Sequence, residues 1–146
     1  KQLAKTVLTL FGAGAETTTT TIVWAILYLA SKQDIQVRVF REINEIVGTD
    51  RLPSLQDKLK LVYTEAFIME ILRACNIVPV SMPHTCSVDL QIQGFDIPKG
   101  TTLLPDIDSV LFDPKIWGDP EEFRPERFIG EGGNVLKPEE FIPFFA

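Results

Sequence analysis

The sequence predicts a mainly α-helical fold with a small antiparallel β-sheet, in the α+β class. Three observations predict it. The first half of the chain carries apolar residues at helical spacing, residues 87–104 alternate between apolar and polar over short runs, and the chain from Pro105 onward is rich in proline, glycine and aromatic residues. With 45% hydrophobic and 23% charged residues, the composition is typical of a folded globular chain and argues against disorder.

Charge and cysteine content exclude several classes of protein. The 14 basic and 20 acidic residues give a formal net charge of −6, which disfavours a general nucleic-acid binder. Two cysteines are too few for a disulfide scaffold, and no Cys-x-x-Cys pair suggests zinc. The chain begins at Lys1 without Met or a signal peptide and ends at Ala146 without a polar tail, so we expect a piece of a longer protein.

The first predicted element is a long helix over residues 3–31. Glu16 is its only charged residue between Thr6 and Ser31, and Ile22–Ala30 is a run of nine apolar residues. This pattern indicates a helix that is buried on most sides. A transmembrane span is the competing interpretation, but an acid near its middle costs roughly 2.5–3.5 kcal/mol on insertion scales. We therefore favour the buried helix.

The second predicted element is an amphipathic helix over residues 34–47, and Gly48 is a natural stop for it. Its apolar residues recur at helical spacing, at Ile35, Val39, Ile43, Ile46 and Val47. After it, Ser54 followed three residues later by Asp57 predicts the start of a short helix.

The third predicted helix covers residues 64–75 and contains a charged pair. Between positions 66 and 75, Glu70 and Arg73 are the only residues that are neither apolar nor small. A helix that is apolar all round is buried, so we expect both charges to be buried as neighbours on one face. Such a pair recruits further donors, and Arg127 is the candidate for a second arginine, although a solvated turn there is equally compatible with the sequence.

A small antiparallel sheet is predicted after this helix. Residues 87–92, 95–97 and 101–104 read as short strands, separated by turns at Gln93-Gly94 and at Pro98-Lys99-Gly100. From Pro105 onward we expect irregular but packed structure.

Small residues on one face of the first helix form a candidate site. Ala13, Gly14 and Thr17 share that face by their spacing, and Glu16 is adjacent. The Thr17 hydroxyl could bond the Ala13 carbonyl and loosen the helix locally. An acid and an alcohol in an apolar groove could relay protons to a ligand, but from spacing alone a helix-packing notch is the favoured interpretation.

Three isolated residues carry weaker signals. A lone histidine such as His84 is more often a surface or hydrogen-bonding residue than a metal ligand. Cys75 reads as a buried packing residue, and Cys86 lacks the basic neighbours that would lower the pKa of its thiol.

Taken together, the motifs resemble the cytochrome P-450 family of haem-thiolate monooxygenases. Three motifs carry the resemblance, namely Ala13-Gly14-Ala15-Glu16-Thr17-Thr18, Glu70-Ile71-Leu72-Arg73 and Phe123-Arg124-Pro125-Glu126-Arg127-Phe128. The turn at Pro98–Thr101 and the segment Trp117–Phe123 also look like parts of that family. The resemblance covers residues 1–146, which would form a partial P-450 domain running from the long distal helix nearly to the haem-binding loop.

Three further segments look like the animal microsomal branch of the family, whose members oxidise drugs, fatty acids and steroids. They are Leu52-Pro53-Ser54, residues 78–84 and residues 130–134. The resemblance implies a haem cofactor, an O₂-dependent oxidation of a small apolar substrate and an NADPH-dependent reductase as electron donor. It further implies an N-terminal membrane anchor and a location on the cytoplasmic face of the endoplasmic reticulum.

The resemblance also implies a role for each matched residue. Glu16 and Thr17 would be the catalytic acid–alcohol pair that delivers protons for O–O cleavage, with Ala13 and Gly14 flanking the haem. Glu70, Arg73 and Arg127 would form a buried structural triad. His84 would bind a haem propionate. The residues expected to line the substrate pocket are Val78, Val80 and Ser81.

Two departures from the family pattern matter. Phe112 stands where the family often has histidine, which we expect to affect only local packing. The iron-ligating cysteine of the family would follow Phe144-Phe145-Ala146, so no metal ligand is expected within the chain and the chain alone should not catalyse. The alternative is a non-enzymatic helical membrane or interaction module in which the Glu70–Arg73 pair is purely structural.

Overall fold

The computed structural model describes residues 1–144 of the chain, in which short strands lie between the third and fourth helices. The predicted mainly α-helical fold is confirmed. In chain order the elements are α1 (Gln2–Ser31), α2 (Gln33–Ile46), α3 (Val62–Ala74), β1 (His84–Thr85), β2 (Leu90–Ile92), β3 (Phe95–Ile97), β4 (Thr102–Leu103), α4 (Asp108–Leu111), α5 (Pro114–Trp117) and a 3₁₀ turn (Pro125–Phe128).

Helix α1 is much more exposed than its sequence predicts. No residue of α1 is buried, and Leu10 and Phe11 are 70% and 75% exposed. The expectation of a helix buried on most sides was wrong, because the described chain packs on α1 mainly near its C-terminal end, through Ala25, Tyr28 and Leu29. No helix within residues 1–144 combines the length and apolar character that a bilayer span requires.

Helices α2 and α3 pack against each other through one apolar cluster. Ile35 and Val39 of α2 meet Tyr63, Phe67 and Ile71 of α3 in this cluster. The helical spacing of the apolar residues on α2 places them on one face, so the cluster buries that face, while charged residues such as Arg41 and Glu45 stay exposed. Helix α2 ends as expected, because Gly48 adopts a φ of 77° that most residues avoid.

The segment between α2 and α3 is a series of turns, so the short helix predicted to start at Ser54 was wrong. The Asp57 carboxylate accepts hydrogen bonds from the Ser54 N–H at 2.8 Å and the Ser54 hydroxyl at 2.9 Å. Arg51 donates to the same carboxylate at 2.7 and 2.8 Å. The Ser54 hydroxyl therefore serves as a donor to Asp57, so it does not cap the backbone of a helix.

The strands form two separate two-stranded sheets rather than one. Strands β2 and β3 make the predicted hairpin, whose turn residues Gln93 and Gly94 have φ values of 49° and 88°. Strand β4 pairs with β1, so that His84 lies opposite Leu103. The sequence did not indicate this second pairing, because β1 is only two residues long.

The irregular C-terminal third is packed against α3. Side chains from this third form a second apolar cluster with Ala66 and Met69 of α3. Its buried members there are Ile107, Leu111, Trp117, Phe128 and Phe141. This packing places the 3₁₀ turn against the face of α3 that bears Glu70 and Arg73.

Candidate functional site

A buried network of charges lies between α3 and the 3₁₀ turn, centred on Glu70. The Glu70 carboxylate accepts hydrogen bonds from Arg73 Nε and Nη2, both at 2.9 Å, and from Arg127 Nε at 3.1 Å. The backbone N–H of Arg124 donates to it at 2.9 Å. The side chains of Glu70 and Arg73 are 0% exposed and that of Arg127 is 5% exposed. The structure thus brings the three residues of the expected triad together.

The two arginines also hold backbone carbonyl groups of the C-terminal third. Arg73 donates to the carbonyl oxygens of Leu111 at 2.9 Å and Pro120 at 2.8 Å. Arg127 donates to those of Trp117 at 3.0 Å and Glu122 at 2.8 Å. Because each guanidinium offers five donors in a rigid fork, the two together tie residues 111–122 to α3.

Aromatic rings complete the surroundings of Arg73. Its guanidinium carbon lies 5.4 Å from the centre of the Phe112 ring and 5.5 Å from that of Trp117. Cation–π attraction at such distances stabilises a desolvated guanidinium. Phe112, which departs from the family pattern, therefore contributes to the packing around the network.

Asp119 is a member of this network that sequence reasoning missed. Its carboxylate accepts a hydrogen bond from Arg124 at 2.6 Å and further ones from Arg127 at 3.3 Å. The hydrogen bond from Arg124 holds the pKa of Asp119 below its usual value. The carboxylate eight residues before Arg127 could have been used to predict this contact. The backbone carbonyl groups that accept hydrogen bonds from the arginines cannot be recognised from the sequence.

A cleft of about 590 Å³ separates α1 from the C-terminal end of α3. Glu16 and Thr17 both line it, from the face of α1 that turns toward α3. The other residues that line the cleft are Thr20, Trp24, Tyr28, Ala74, Cys75, Asn76, Ile77, Asp108 and Phe112. The expected acid–alcohol pair therefore borders a space large enough for a ligand.

The Thr17 hydroxyl is already engaged with its own helix. Thr17 Oγ1 donates to the carbonyl oxygen of Ala13 at 2.7 Å, one turn earlier. This is the predicted back-bond, but α1 continues as an unbroken α-helix through the position. A hydroxyl held this way keeps its oxygen lone pairs available as acceptors.

The small residues beside Thr17 leave an open notch on α1. Ala13 and Gly14 are exposed, and a Cβ atom added to Gly14 would meet nothing within 4 Å. Within residues 1–144, therefore, no other part of the chain packs into the notch. The helix-packing interpretation finds no partner among the described residues.

The two cysteines occupy different environments. Burial raises the pKa of the Cys75 thiol, which lies against the Tyr28 hydroxyl. Cys86 is buried, and its backbone pairs with Gly100 and Thr101. In the part of the chain that the structure describes, no group of three or more His, Cys, Asp or Glu residues could hold a metal ion.

The remaining expected site residues lie away from the cleft. His84 is exposed in β1, and Val80 is 48% exposed and pairs with Asp106. Val78 hydrogen-bonds through its backbone to the Asn76 side chain. Ser81 is partly buried and donates its N–H to the Pro105 carbonyl at 2.9 Å. None of these four lines the cleft beside Glu16 and Thr17.

Comparison with known proteins identifies the family. The model of the cytochrome P450 family matches residues 1–146. The chain belongs to the cytochrome P450 family. Cytochrome P450 2U1 of Bos taurus is 47% identical over 135 residues, which cover 92% of this chain and 25% of the relative. Cytochrome P450 2D26 of Rattus norvegicus is 44% identical over 146 residues, which cover 100% of this chain and 29% of the relative.

A third relative gives the same picture of coverage. Cytochrome P450 2D3 of Rattus norvegicus is 46% identical over 137 residues, covering 94% of this chain and 27% of the relative. The chain thus spans between a quarter and a third of the length of these cytochrome P450 relatives.

Membership of the cytochrome P450 family implies a haem cofactor. The notch at Ala13 and Gly14 fits one face of a flat apolar group, because both residues have small side chains, are exposed and are not covered by the described chain. Neither Cys75 nor Cys86 fits the thiolate ligand, since one has a raised thiol pKa and the other is enclosed. The described residues therefore fit one face of the haem and do not supply its ligand.

Proposed function

We propose that this chain is part of a haem-thiolate monooxygenase. The enzyme would insert one oxygen atom of O₂ into a small apolar substrate of the xenobiotic, fatty acid or steroid class. The observation that carries the proposal is the Glu70 carboxylate, fully buried and bonded by both Arg73 and Arg127. This network joins the helix bearing Glu70 to the segment that leads toward the end of the chain, in a member of the cytochrome P450 family.

When bound, haem supplies the redox centre that activates O₂. The contribution of this chain is to hold and move protons at the rim of the cleft. Glu16 exchanges protons with solvent because it is exposed, and the Thr17 hydroxyl lies in the same cleft with its oxygen free to accept a proton. Together they form a route from water to the notch at Ala13 and Gly14.

The other expected site residues take binding roles in this proposal. His84 would donate to a haem propionate, and its exposed position in β1 leaves it accessible to one. Val78, Val80 and Ser81 would line the substrate pocket, where the 48% exposure of Val80 offers apolar surface to a ligand. Ala13 and Gly14 would leave room for haem and substrate to approach α1.

Electron supply and location follow from the resemblance to microsomal P450 enzymes. We propose an NADPH-dependent reductase as electron donor. We also propose an N-terminal membrane anchor outside residues 1–146 and a position on the cytoplasmic face of the endoplasmic reticulum. Because neither Cys75 nor Cys86 is suited to ligate iron, the 146-residue chain alone would be inactive.

The ferrous–CO absorption spectrum tests the proposed function. The full-length protein that carries this chain should give the long-wavelength band of a thiolate-ligated haem when it is reduced and treated with CO. The 146-residue polypeptide, treated with haem in the same way, is the control and should not give that band. Absence of the band from the folded full-length protein would overturn the proposal.

A further inference from the structure

Helix α2 supplies the cap for the first turn of α3. The Glu42 carboxylate accepts hydrogen bonds from the Tyr63 N–H at 2.7 Å and the Thr64 N–H at 2.8 Å. The Thr64 hydroxyl donates to it as well, at 2.7 Å. The N-cap position of α3 is Leu61, whose side chain cannot accept a hydrogen bond. Glu42 therefore satisfies backbone donors that the helix itself leaves unpaired, and its charge matches the positive end of the helix dipole.

The same face of α2 also holds the 3₁₀ turn that carries Arg127. Arg38 lies one turn before Glu42 on α2, and its guanidinium pairs with the Glu126 carboxylate of that turn. It also lies 3.8 Å from the centre of the Tyr63 ring at the start of α3. Helix α2 therefore contacts both elements whose charges meet at Glu70.

The position of α3 along its own axis controls the buried charge network. Each residue of an α-helix rises about 1.5 Å, while N–H···O bonds stay strong only over roughly 2.7–3.2 Å. Glu70 receives its bond from Arg127 at 3.1 Å, near the long end of that range. A shift of α3 by less than one residue would break this bond, so whatever fixes the start of α3 also fixes the contact with Arg127.

We propose that Glu42, assisted by Arg38, is a positioning residue that sets α3 against the 3₁₀ turn so that Glu70 meets Arg127. The inference rests on the proposed function, because the network it positions is the one that would keep haem bound. Glu42 touches neither Glu70 nor Arg127, and it acts on them through the first turn of α3.

A double-mutant cycle in the full-length holoenzyme tests this role. The variants are Glu42→Ala, Arg127→Lys and both together, with Glu45→Ala as the matched control because Glu45 is exposed on the same helix. The readouts are the folded-to-unfolded ratio in urea and the fraction of haem in the thiolate-ligated ferrous–CO form. Loss of a helix cap should lower the folded-to-unfolded ratio about fivefold to tenfold in Glu42→Ala, and Glu45→Ala should stay near the parent.

Coupling between the two sites distinguishes positioning from general stabilisation. If Glu42 positions the network, Arg127→Lys has a smaller effect when Glu42 is already replaced. The factor by which Arg127→Lys lowers the folded-to-unfolded ratio is then at least about threefold smaller than in the parent background. Glu42→Ala also lowers the thiolate-form fraction. Should Glu42→Ala fail to fold, Glu42→Gln replaces it, because glutamine keeps one acceptor oxygen.

Two results would overturn the inference. One is additive effects of Glu42→Ala and Arg127→Lys, and the other is a Glu42→Ala protein whose spectrum matches that of Glu45→Ala. If the unsubstituted protein itself lacks the thiolate band, the proposed function fails. In that event the urea coupling alone still decides the positioning role.

Discussion

Thr17 combines two properties that a proton-delivering hydroxyl needs. Its 2.7 Å bond to the Ala13 carbonyl fixes the position of the hydroxyl and leaves the oxygen lone pairs free to accept a proton, and its side chain borders the cleft. Thr21 makes the same kind of back-bond, to the Thr17 carbonyl at 3.0 Å, but does not line the cleft. The two threonines therefore share a local geometry and differ in what they face.

Thr17→Ala should leave haem binding intact and uncouple electron use from product formation. Removing a hydroxyl from the proton route slows proton transfer by about 10²-fold or more, so the electrons would reduce O₂ to hydrogen peroxide instead of supporting product formation. This coupling is measured as the amounts of product and of hydrogen peroxide that the full-length enzyme forms per NADPH consumed. Thr17→Ser should restore coupling because it keeps the hydroxyl, and Thr21→Ala should behave like the parent. Unchanged coupling in Thr17→Ala would count against the proton route.

Individual side chains differ in how far the sequence predicts them. The pairing of Glu70 with Arg73 follows from two charges three residues apart in an apolar helix, and the structure places both at 0% exposure. Arg127 could be nominated as the second arginine of this pair, but a solvated turn was equally compatible with the sequence, because the contact with Glu70 spans 57 residues. The part played by Asp119 was missed although its carboxylate lies close in sequence to both arginines that donate to it, Arg124 and Arg127.

At the scale of elements, the three long helices and the β2–β3 hairpin are predicted well, whereas the pairing of β1 with β4 is not. The spacing of Ile35 and Val39 sets the buried face of α2, which depends on neighbours within one or two turns. The pairing of β4 with β1 joins residues that are 17 and 19 positions apart in sequence, so no local pattern specifies it. The residues after Ser54 form turns instead of the predicted short helix because Asp57 is held by Arg51, which lies outside the predicted motif, and the Ser54 hydroxyl donates to Asp57.

Asp57→Asn should loosen the segment between α2 and α3 at neutral pH. The bonds from Arg51, and then that from the Ser54 N–H, hold the pKa of the Asp57 carboxyl well below its usual range. A depressed pKa means that the stabilisation is present above the ordinary Asp pKa and is lost as pH falls through the lower folded-state value. The variant should therefore exchange its Ser54 amide proton faster than the parent at neutral pH, with the difference shrinking in acid.

Asp50→Asn is the matched control for this experiment, because Asp50 lies in the same segment and is exposed. Hydrogen–deuterium exchange at the Ser54 amide, followed against pH, is the measurement. Equal exchange in the parent and Asp57→Asn at neutral pH would contradict the role given to the Arg51–Asp57 pair.

At the scale of the whole molecule, the exposed apolar surface of α1 is the main departure from expectation. Composition alone could not predict it, since an apolar helix signals burial without naming what buries it. The exposed large apolar residues in the first half of α1 are Leu3, Val7, Leu8, Leu10 and Phe11. Contiguous apolar surface of this kind is typical of a face that another element or a ligand covers.

The isolated 146-residue polypeptide should therefore self-associate. Burial of exposed apolar surface stabilises association by about 25 cal/mol per Å², so the exposed apolar face of α1 favours contact between copies. Analytical ultracentrifugation of the polypeptide should show species larger than the monomer. A variant with Leu10 and Phe11 changed to glutamate should shift toward the monomer. A strictly monomeric parent polypeptide at micromolar concentration would be the contrary result.

The most direct measurement is the haem content of the full-length protein with Glu70→Gln, with Glu65→Gln as control on the same helix. Breaking one partner of a buried charge network costs about 3–5 kcal/mol, because Arg73 and Arg127 would lose their carboxylate. Glu65 is paired with Lys58 and is partly exposed, so its replacement should cost little. We predict little haem-loaded protein for Glu70→Gln and near-parent loading for Glu65→Gln; near-parent loading and an unchanged ferrous–CO band in Glu70→Gln would contradict the role of the network.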